Sequence, residues 1–341
     1  MTPAAEKPRR LLMFSTDTKL FEEGSAVRER QLAYAKSFDE VHIVVFCGRG
    51  YTAQSLNPKV YIYPTNSRCK LRRPFQAITL GHFIVEGRGI TEITCQDPFL
   101  TGLAGVALKK HFGLPLELQV HTDIGSPHYA TTLGRKIRKT RALTHLPQAD
   151  TIRVVSARIK DYLMTTVGIP AERIRIQPIA VDTERIKTAP IMADLHQQYP
   201  QFESIVLMAS RLEPEKNVSL GLRAFAEVVS THPKAGLVIV GSGSEVTKLQ
   251  RLARKMGLEH QVVFEPWADQ ATLFSYYKTA DLFLNTSLFE GYGLTLVEAH
   301  AAGCPIISTD VGVAREVGAI VAEDEISLSD RLIDQLKSLK S

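Results

Sequence analysis

Residues 282–309 read LFLNTSLFEGYGLTLVEAHAAGCPIIST, and the fold follows from this stretch. It opens on an apolar run (Leu282, Phe283, Leu284), passes through a turn rich in Asn, Ser, Thr and Gly, and continues as a helix over 294–302 that Gly303 and Pro305 stop. A second apolar run follows at 306–308. Strand, Gly-flanked turn, helix and strand form one parallel-sheet unit, with backbone N–H groups converging where the turn enters the helix. Two carboxylates belong to it, Glu290 in the turn and Glu298 inside the helix. A carboxylate near a helix N-terminus is favoured by the dipole, but two of them flanking Gly291, Tyr292 and Gly293 point to a polyhydroxyl ligand with an anionic part.

Working outward, the same alternation of strand and helix fills the second half. Strands are expected over 204–209, 235–240 and 262–264, with helices over 218–230, 245–256 and 271–280. The first half reads similarly. Strands are expected over 10–16, 41–46 and 59–63, within 83–94, and over 116–120, 151–155 and 174–176. Its helices carry Val27, Leu32 and Ala35, then residues 102–112, then 157–167. The weakly patterned stretch 184–202, with Pro190 and Pro200, is the expected linker. The domains are thus 1–183 and 203–341, two doubly wound α/β halves that would face a cleft at the C-terminal ends of their strands.

Length agrees, because 341 residues exceed one ordinary core and suit two domains of about 150 residues each. A composition of 44% hydrophobic and 23% charged residues is that of a soluble globular chain. The cysteines Cys47, Cys69, Cys95 and Cys304 show no paired or metal-ligand spacing and read as reduced thiols of a cytoplasmic protein. Residues 1–10 are polar, so no secretory leader is expected, and no apolar run reaches the eighteen or so residues that cross a bilayer. A net charge of +5 is mild and suggests no nucleic-acid partner.

Four further features bear on chemistry. Arg211 and Lys216 lie in a strand-to-helix loop, where cations oppose the helix dipole; they suit a phosphate ligand or else pair with Glu213 and Glu215 at the surface. Gly241 and Gly243 allow either close approach of a ligand or simply a tight turn, and Val246 in the third position speaks against a dinucleotide oxidoreductase. His121 ends a strand, as a structural histidine or one facing the cleft. The basic run Arg135, Lys136, Arg138, Lys139, Arg141 reads equally as a solvated helix face or as a contact with an anionic partner, a phospholipid membrane or a phosphorylated acceptor.

Taken in order, Arg211 with Lys216, Gly241–Gly243, Phe289-Glu290-Gly291, Val297-Glu298-Ala299 and Ala302-Gly303-x-Pro305 resemble the donor half of family-four retaining glycosyltransferases of the GT-B fold. The likeness runs through 203–317 and is looser in the first half, at Gly24-Ser25 and His121. It implies a nucleotide-sugar donor, UDP- or GDP-linked, and a lipid-linked or saccharide acceptor at the inner face of the cell membrane. It implies no cofactor and no metal, with which the lack of an Asp-x-Asp sequence agrees. Arg211 and Lys216 would neutralise the leaving phosphate with help from backbone N–H groups at Tyr292, Gly293 and Leu294. Glu298 would hold the ribose, Glu290 the sugar hydroxyls and His121 the donor sugar. Gly24, Gly241, Gly243 and Gly291 would border the donor, and Glu265 and Trp267 the base. Departures are Glu22-Glu23-Gly24-Ser25 in place of a Gly-Gly pair, Glu265-Pro266-Trp267 in place of a Gly-containing turn, and a last helix that begins only near Ser329. These motivate an alternative, a nucleotide-sugar-binding subunit that has lost transfer. An epimerase or phosphorylase of the same fold is a third reading, the latter without an evident pyridoxal lysine.

Overall fold

The structure, a computed structural model, describes residues 8–338; the polar start of the chain before Pro8 and the end after Ser338 lie outside the described residues. The chain divides after Gln177 into two compact units, each an α/β layer structure.

The first unit runs β1 (Arg10–Ser15), α1 (Ala26–Ala35), β2 (Glu40–Val45), β3 (Gln54–Asn57), β4 (Val60–Pro64), α2 (Arg73–Arg88), β5 (Glu92–Cys95), α3 (Leu100–Phe112), β6 (Leu116–Val120), α4 (Leu133–His145), β7 (Thr151–Val154), α5 (Ala157–Thr165) and β8 (Ile174–Ile176). Its sheet has the order β3-β4-β2-β1-β5-β6-β7-β8 and is parallel except for β3 at the edge. From β1 the chain first goes out to β2 and β4, then crosses to β5, so the strand order reverses between β1 and β5. On one face Leu11, Met13, Ile43, Val45 and Ile62 pack with Leu20, Ala35 and Phe38.

The second unit runs α6 (Thr183–Thr188), α7 (Leu195–Gln198), β9 (Ser204–Ala209), α8 (Val218–Thr231), β10 (Ala235–Val240), α9 (Val246–Lys255), β11 (Val262–Glu265), α10 (Gln270–Thr279), β12 (Leu282–Asn285), α11 (Leu294–Ala301), β13 (Ile306–Thr309), β14 (Ile320–Ala322) and α12 (Glu325–Ser338). All its strands are parallel, in the order β11-β10-β9-β12-β13-β14, and the reversal falls between β9 and β12. Every residue of β9 and β10 is buried, which is why these segments read as unbroken apolar runs rather than as alternating ones. One core joins this sheet to α8, α9 and α12, the other to α10, α11 and the segment before β9, so the unit is doubly wound.

One element was not expected and two expectations are corrected. The strand expected within 83–94 is β5, but the helix before it, α2 over 73–88, was not read: Pro74 opens it, Ala77, Gly81, Ile84 and Val85 bury one face at helical spacing, and Gly89 ends it at φ +61. Residues 184–202 are not a linker. Ile186 and Leu195 are buried in the second unit's core, the Met192 N–H donates to Ser275 Oγ (2.8 Å), and Lys278 Nζ donates to the carbonyls of Lys187 and Ala189 (2.8 and 2.5 Å). The boundary therefore falls at 177/178 and not at 183–203. The last helix starts four residues before Ser329, and its Leu328, Leu332 and Leu336 are buried against its own unit at i, i+4 spacing.

Candidate functional site

The two loops at the second unit's reversal point are tied backbone to side chain. Thr286 Oγ1, just beyond β12, donates to the carbonyls of Lys216 (3.1 Å) and Asn217 (3.0 Å), and the Leu288 N–H donates to the carbonyl of Glu215 at 2.8 Å. Asn217 turns the chain into α8 at φ +46, a left-handed conformation that Asn tolerates. Held this way, Lys216 Nζ donates to Glu290 Oε1, and Ser287 Oγ donates to the same oxygen at 2.7 Å. Both side chains of the pair are only 15% exposed. Charges that far from water persist only when paired and hydrogen-bonded, so this pair is costly to hold.

Arg211 differs from its neighbour. Its side chain is 65% exposed and bridges to Glu215 at 3.3 Å, so here the surface-pair reading is the one observed. Glu213 is used otherwise: its carboxylate accepts from the Ser244 N–H (3.1 Å) and Ser244 Oγ (2.6 Å), hooking the loop after β10 onto the loop after β9. Gly241 belongs to the same junction. At φ +148, a Cβ there would lie 1.9 Å from the Ser210 carbonyl oxygen, and the next residue's carbonyl accepts the Leu212 N–H at 2.8 Å. Both glycines of the turn thus answer to backbone packing, since a Cβ at Gly243 would meet the Leu212 carbonyl at 2.3 Å.

Gly291 and Tyr292 lead into Gly293, which caps α11 at φ +94 with no side-chain cap hydrogen bond, so the helix opens on backbone N–H groups that no capping side chain covers. Tyr292 is fixed through its carbonyl, which accepts the Val313 N–H at 2.9 Å, and Leu294 is 41% exposed on the first turn. One turn further, Glu298 is half-buried and accepts from the Tyr277 hydroxyl at 3.3 Å. Burial raises its carboxyl above the usual glutamate range, against the lowering effect of that hydrogen bond.

Beside these loops a shallow apolar depression is lined by Ala209, Val240, Trp267, Ala268, Leu273 and Thr295. Ala209 and Val240 end β9 and β10, Thr295 is on the first turn of α11, and Trp267 is 58% exposed, so its indole presents a flat apolar face there. Glu265, expected beside Trp267 as a ligand contact, is turned elsewhere: it accepts from the Tyr199 hydroxyl and from Gln198 Nε2 (3.4 Å). Sequence reasoning missed Thr286 and Ser287, whose signal was the hydroxyl pair following an apolar strand, and Tyr277, which gave none.

The remaining expected residues belong to the first unit. Gly24 lies at φ +73 in a loop held by Ser25, whose Oγ donates to the Lys19 carbonyl (2.6 Å) and caps α1. His121 follows β6, and its Nε2 pairs with Gln119 Oε1 at 3.1 Å, an oxygen that also accepts from Arg153. The surrounding protein first and the Arg153 guanidinium second push its imidazole down to about 4. Because His121 is exposed, burial acts on it only in part; the nearby cation has the same sign, and the ring is neutral at pH 7. On α4, Arg138 lies over the Phe99 ring (4.6 Å) and Lys139 over Tyr162 (5.6 Å), Arg135 is partly buried, and Lys136 is exposed. Among the described residues no group of three or more His, Cys, Asp or Glu side chains is gathered as a metal site, and no helix is long and apolar enough to cross a membrane.

Comparison with known proteins gives matches to both halves. Residues 29–185 match the family model described as Glycosyltransferase Family 4, and residues 195–325 that described as Glycosyl transferases group 1. A D-inositol 3-phosphate glycosyltransferase of Catenulispora acidiphila is 30% identical over 228 residues, 63% of this chain and 53% of that protein. The chain spans about half the length of the curated relatives it matches, 53% and 51% in two of them. Among solved structures, sucrose-phosphate synthase from Thermosynechococcus elongatus superposes with a TM-score of 0.78 at 19% identity, over 96% of this chain and 90% of that one. Anabaena HepE in complex with UDP and glucose superposes with a TM-score of 0.71 at 18% identity, over 97% and 91%. The two Rossmann-like sheets are thus those of the GT-B fold.

Proposed function

The chain belongs to the family-four glycosyltransferases, and on that premise we propose that it moves a hexose from a nucleotide-diphosphate sugar to an acceptor hydroxyl, with retention of configuration and without a metal ion. The observation that carries this reading is the Lys216–Glu290 pair, held at the strand-order reversal beside the bare N-terminus of α11. A diphosphate there meets an ammonium and a set of fixed N–H dipoles. Lys216 exchanges its carboxylate partner for the β-phosphate and stabilises the charge that grows as the bond from C1 to the phosphate oxygen breaks. Glu290 then accepts from sugar hydroxyls, and Glu298 from the ribose. The acceptor oxygen attacks C1 from the face the phosphate leaves, and the acceptor proton passes to the departing phosphate oxygen. No protein nucleophile is required.

The base is assigned to the depression at Trp267, and uridine is the favoured base because the similar Anabaena protein is seen with UDP. The acceptor is a lipid-linked or saccharide hydroxyl. A thermal-shift screen with UDP-, GDP- and ADP-sugars tests the reading: a rise in melting midpoint with UDP-glucose is expected. Glu298→Ala should weaken nucleotide binding in calorimetry by about 1.5–3 kcal/mol, roughly 10- to 150-fold, the range for a lost hydrogen bond to a charged group. A chain whose midpoint no nucleotide sugar moves is not this enzyme.

A further inference from the structure

Strand β6 has two unlike faces. Leu116, Leu118 and Val120 are apolar and buried, whereas Glu117, Gln119 and, just past the strand, His121 alternate onto the other face. Strand register puts Thr94 of β5 beside Glu117 and Arg153 of β7 beside Gln119. Gln119 is 2% exposed and Thr94 1%. Polar side chains buried this fully cost free energy unless their groups find partners. Here they do: Gln119 Nε2 donates to Thr94 Oγ1 at 2.9 Å, and Gln119 Oε1 accepts from Arg153 and pairs with His121 Nε2 at 3.1 Å.

The two ends of this row of hydrogen bonds fix its direction. At one end the Glu117 carboxylate accepts from the Thr94 hydroxyl (2.9 Å) and from Arg175 (3.0 Å). The Thr94 hydroxyl, having donated its one proton, meets Gln119 with lone pairs. The amide NH2 of Gln119 therefore faces Thr94, and its carbonyl faces Arg153, which can only donate. His121 stands against that same carbonyl oxygen, and only an N–H can face it. With a pKa of about 4 the ring holds one proton at pH 7. That proton is on Nε2, and Nδ1, which makes no hydrogen bond among the described residues, is left as a lone pair.

We propose that Gln119 is a positioning residue that locks His121 in the Nε2–H tautomer, so that Nδ1 accepts a hydrogen bond from a hydroxyl of the donor sugar. The inference deepens the transferase reading and rests on it, with His121 as a contact of that sugar. It also assigns the chemistry of the ligand group. A neutral ring whose one N–H is turned inward has nothing to give a phosphate or a carboxylate, and takes a group that donates. His121 is exposed at the C-terminal end of β6, the end of a parallel strand at which open α/β sheets bind ligands.

Long-range proton–nitrogen NMR of the full chain, with His121→Asn to assign the ring, reads the tautomer directly. The proton is expected on Nε2, and UDP-glucose should shift the Nδ1 resonance. Kinetics then compare UDP-glucose with donors that lack one sugar hydroxyl and with donors that carry fluorine in its place, which cannot donate. At one position both changes should lower kcat/KM about five- to ten-fold, the worth of one hydrogen bond between neutral groups. Gln119→Leu should slow UDP-glucose by a similar factor and erase the discrimination at that position, while UDP-glucose still raises its melting midpoint. Gln119→Glu keeps an acceptor for Arg153 and His121, so it should keep the discrimination. Arg153 is the charged group acting on the ring, and the new carboxylate opposes it, so in Gln119→Glu the rate should fall at a higher pH on acidification than in wild type. The proposal is overturned if Nδ1 carries the proton in the free chain, if fluorinated donors react like UDP-glucose where the deoxy ones are slow, or if Gln119→Leu discriminates as wild type does. Failure of the transferase reading looks different: no nucleotide sugar raises the midpoint of any chain, while the tautomer of the free chain stays Nε2–H.

Discussion

Each unit has one place where its strand order reverses, and the two places are furnished differently. Between β1 and β5, Ser15 Oγ donates to Gln96 Oε1 at 2.5 Å, and the Asp97 carboxylate accepts from the N–H groups of Phe99 (2.7 Å) and Thr101 (3.4 Å) at the start of α3. Burial raises the Asp97 carboxyl, and those N–H groups and Thr101 Oγ1 pull it back. Its helix N-terminus is thus covered by the chain's own carboxylate. Between β9 and β12, by contrast, α11 starts on a glycine without a side-chain cap, and the nearby carboxylate, Glu290, is bound to Lys216. The same topology therefore supplies a capped helix in one unit and an uncapped one beside a cation in the other. Architecture locates a candidate site, and side chains decide whether one exists.

That contrast is broken most severely at Lys216. Lys216→Ala should reduce turnover about 10²- to 10³-fold, the effect of removing one preorganised charge-stabilising donor, and should cost about 3 kcal/mol of stability by stranding Glu290. Adding Glu290→Gln should recover most of the stability and none of the turnover; denaturant melts and steady-state rates separate the two. If the double variant regains activity, the pair is structural only.

Asp97→Ala probes the other side. Losing a helix cap costs about 1 kcal/mol, a fall of roughly 2–4 °C in melting midpoint for a unit of this size, with donor affinity unchanged. A loss of donor binding as large as that of Glu298→Ala would erase the distinction between the two reversal points.

The smallest effect expected is in pH dependence. The folded pKa of His121, about 4, lies below the ordinary 6.5. The unfolded chain binds the proton more readily, so its contribution to stability is full above pH 6.5 and is lost as pH falls through 4. Exposure of the residue keeps the amount small. His121→Asn should flatten the pH–stability curve slightly between 6.5 and 4, and rates above pH 5 should show no inflection from this ring.

From β9 to β13 the second unit was legible almost residue for residue, with β9 and β10 read at their observed bounds, because doubly buried parallel strands leave unbroken apolar runs. What escaped was α2, where Phe75 and Phe83 on the exposed face obscured a helical period set by Ala77, Gly81, Ile84 and Val85. The segment after Gln177 escaped too, since prolines and polar residues hid the few side chains, Ile186 and Leu195, that anchor it. Within the site, Lys216 and Glu290 stand out in sequence as charges at strand ends, but that they pair while Arg211 points to Glu215 is a matter of loop geometry. No local pattern records it.

Thr286 bridges to the carbonyls of residues 70 and 69 positions earlier, and Lys216 reaches Glu290 across 74. Contacts of such separation form only after β9, β10 and β11 have been laid down and the chain has crossed back to β12, so in folding time the site is assembled late. A ligand that needs both loops recognises only the finished sheet. Its binding is thus a reporter of completed folding, and partly folded chains should be invisible to it.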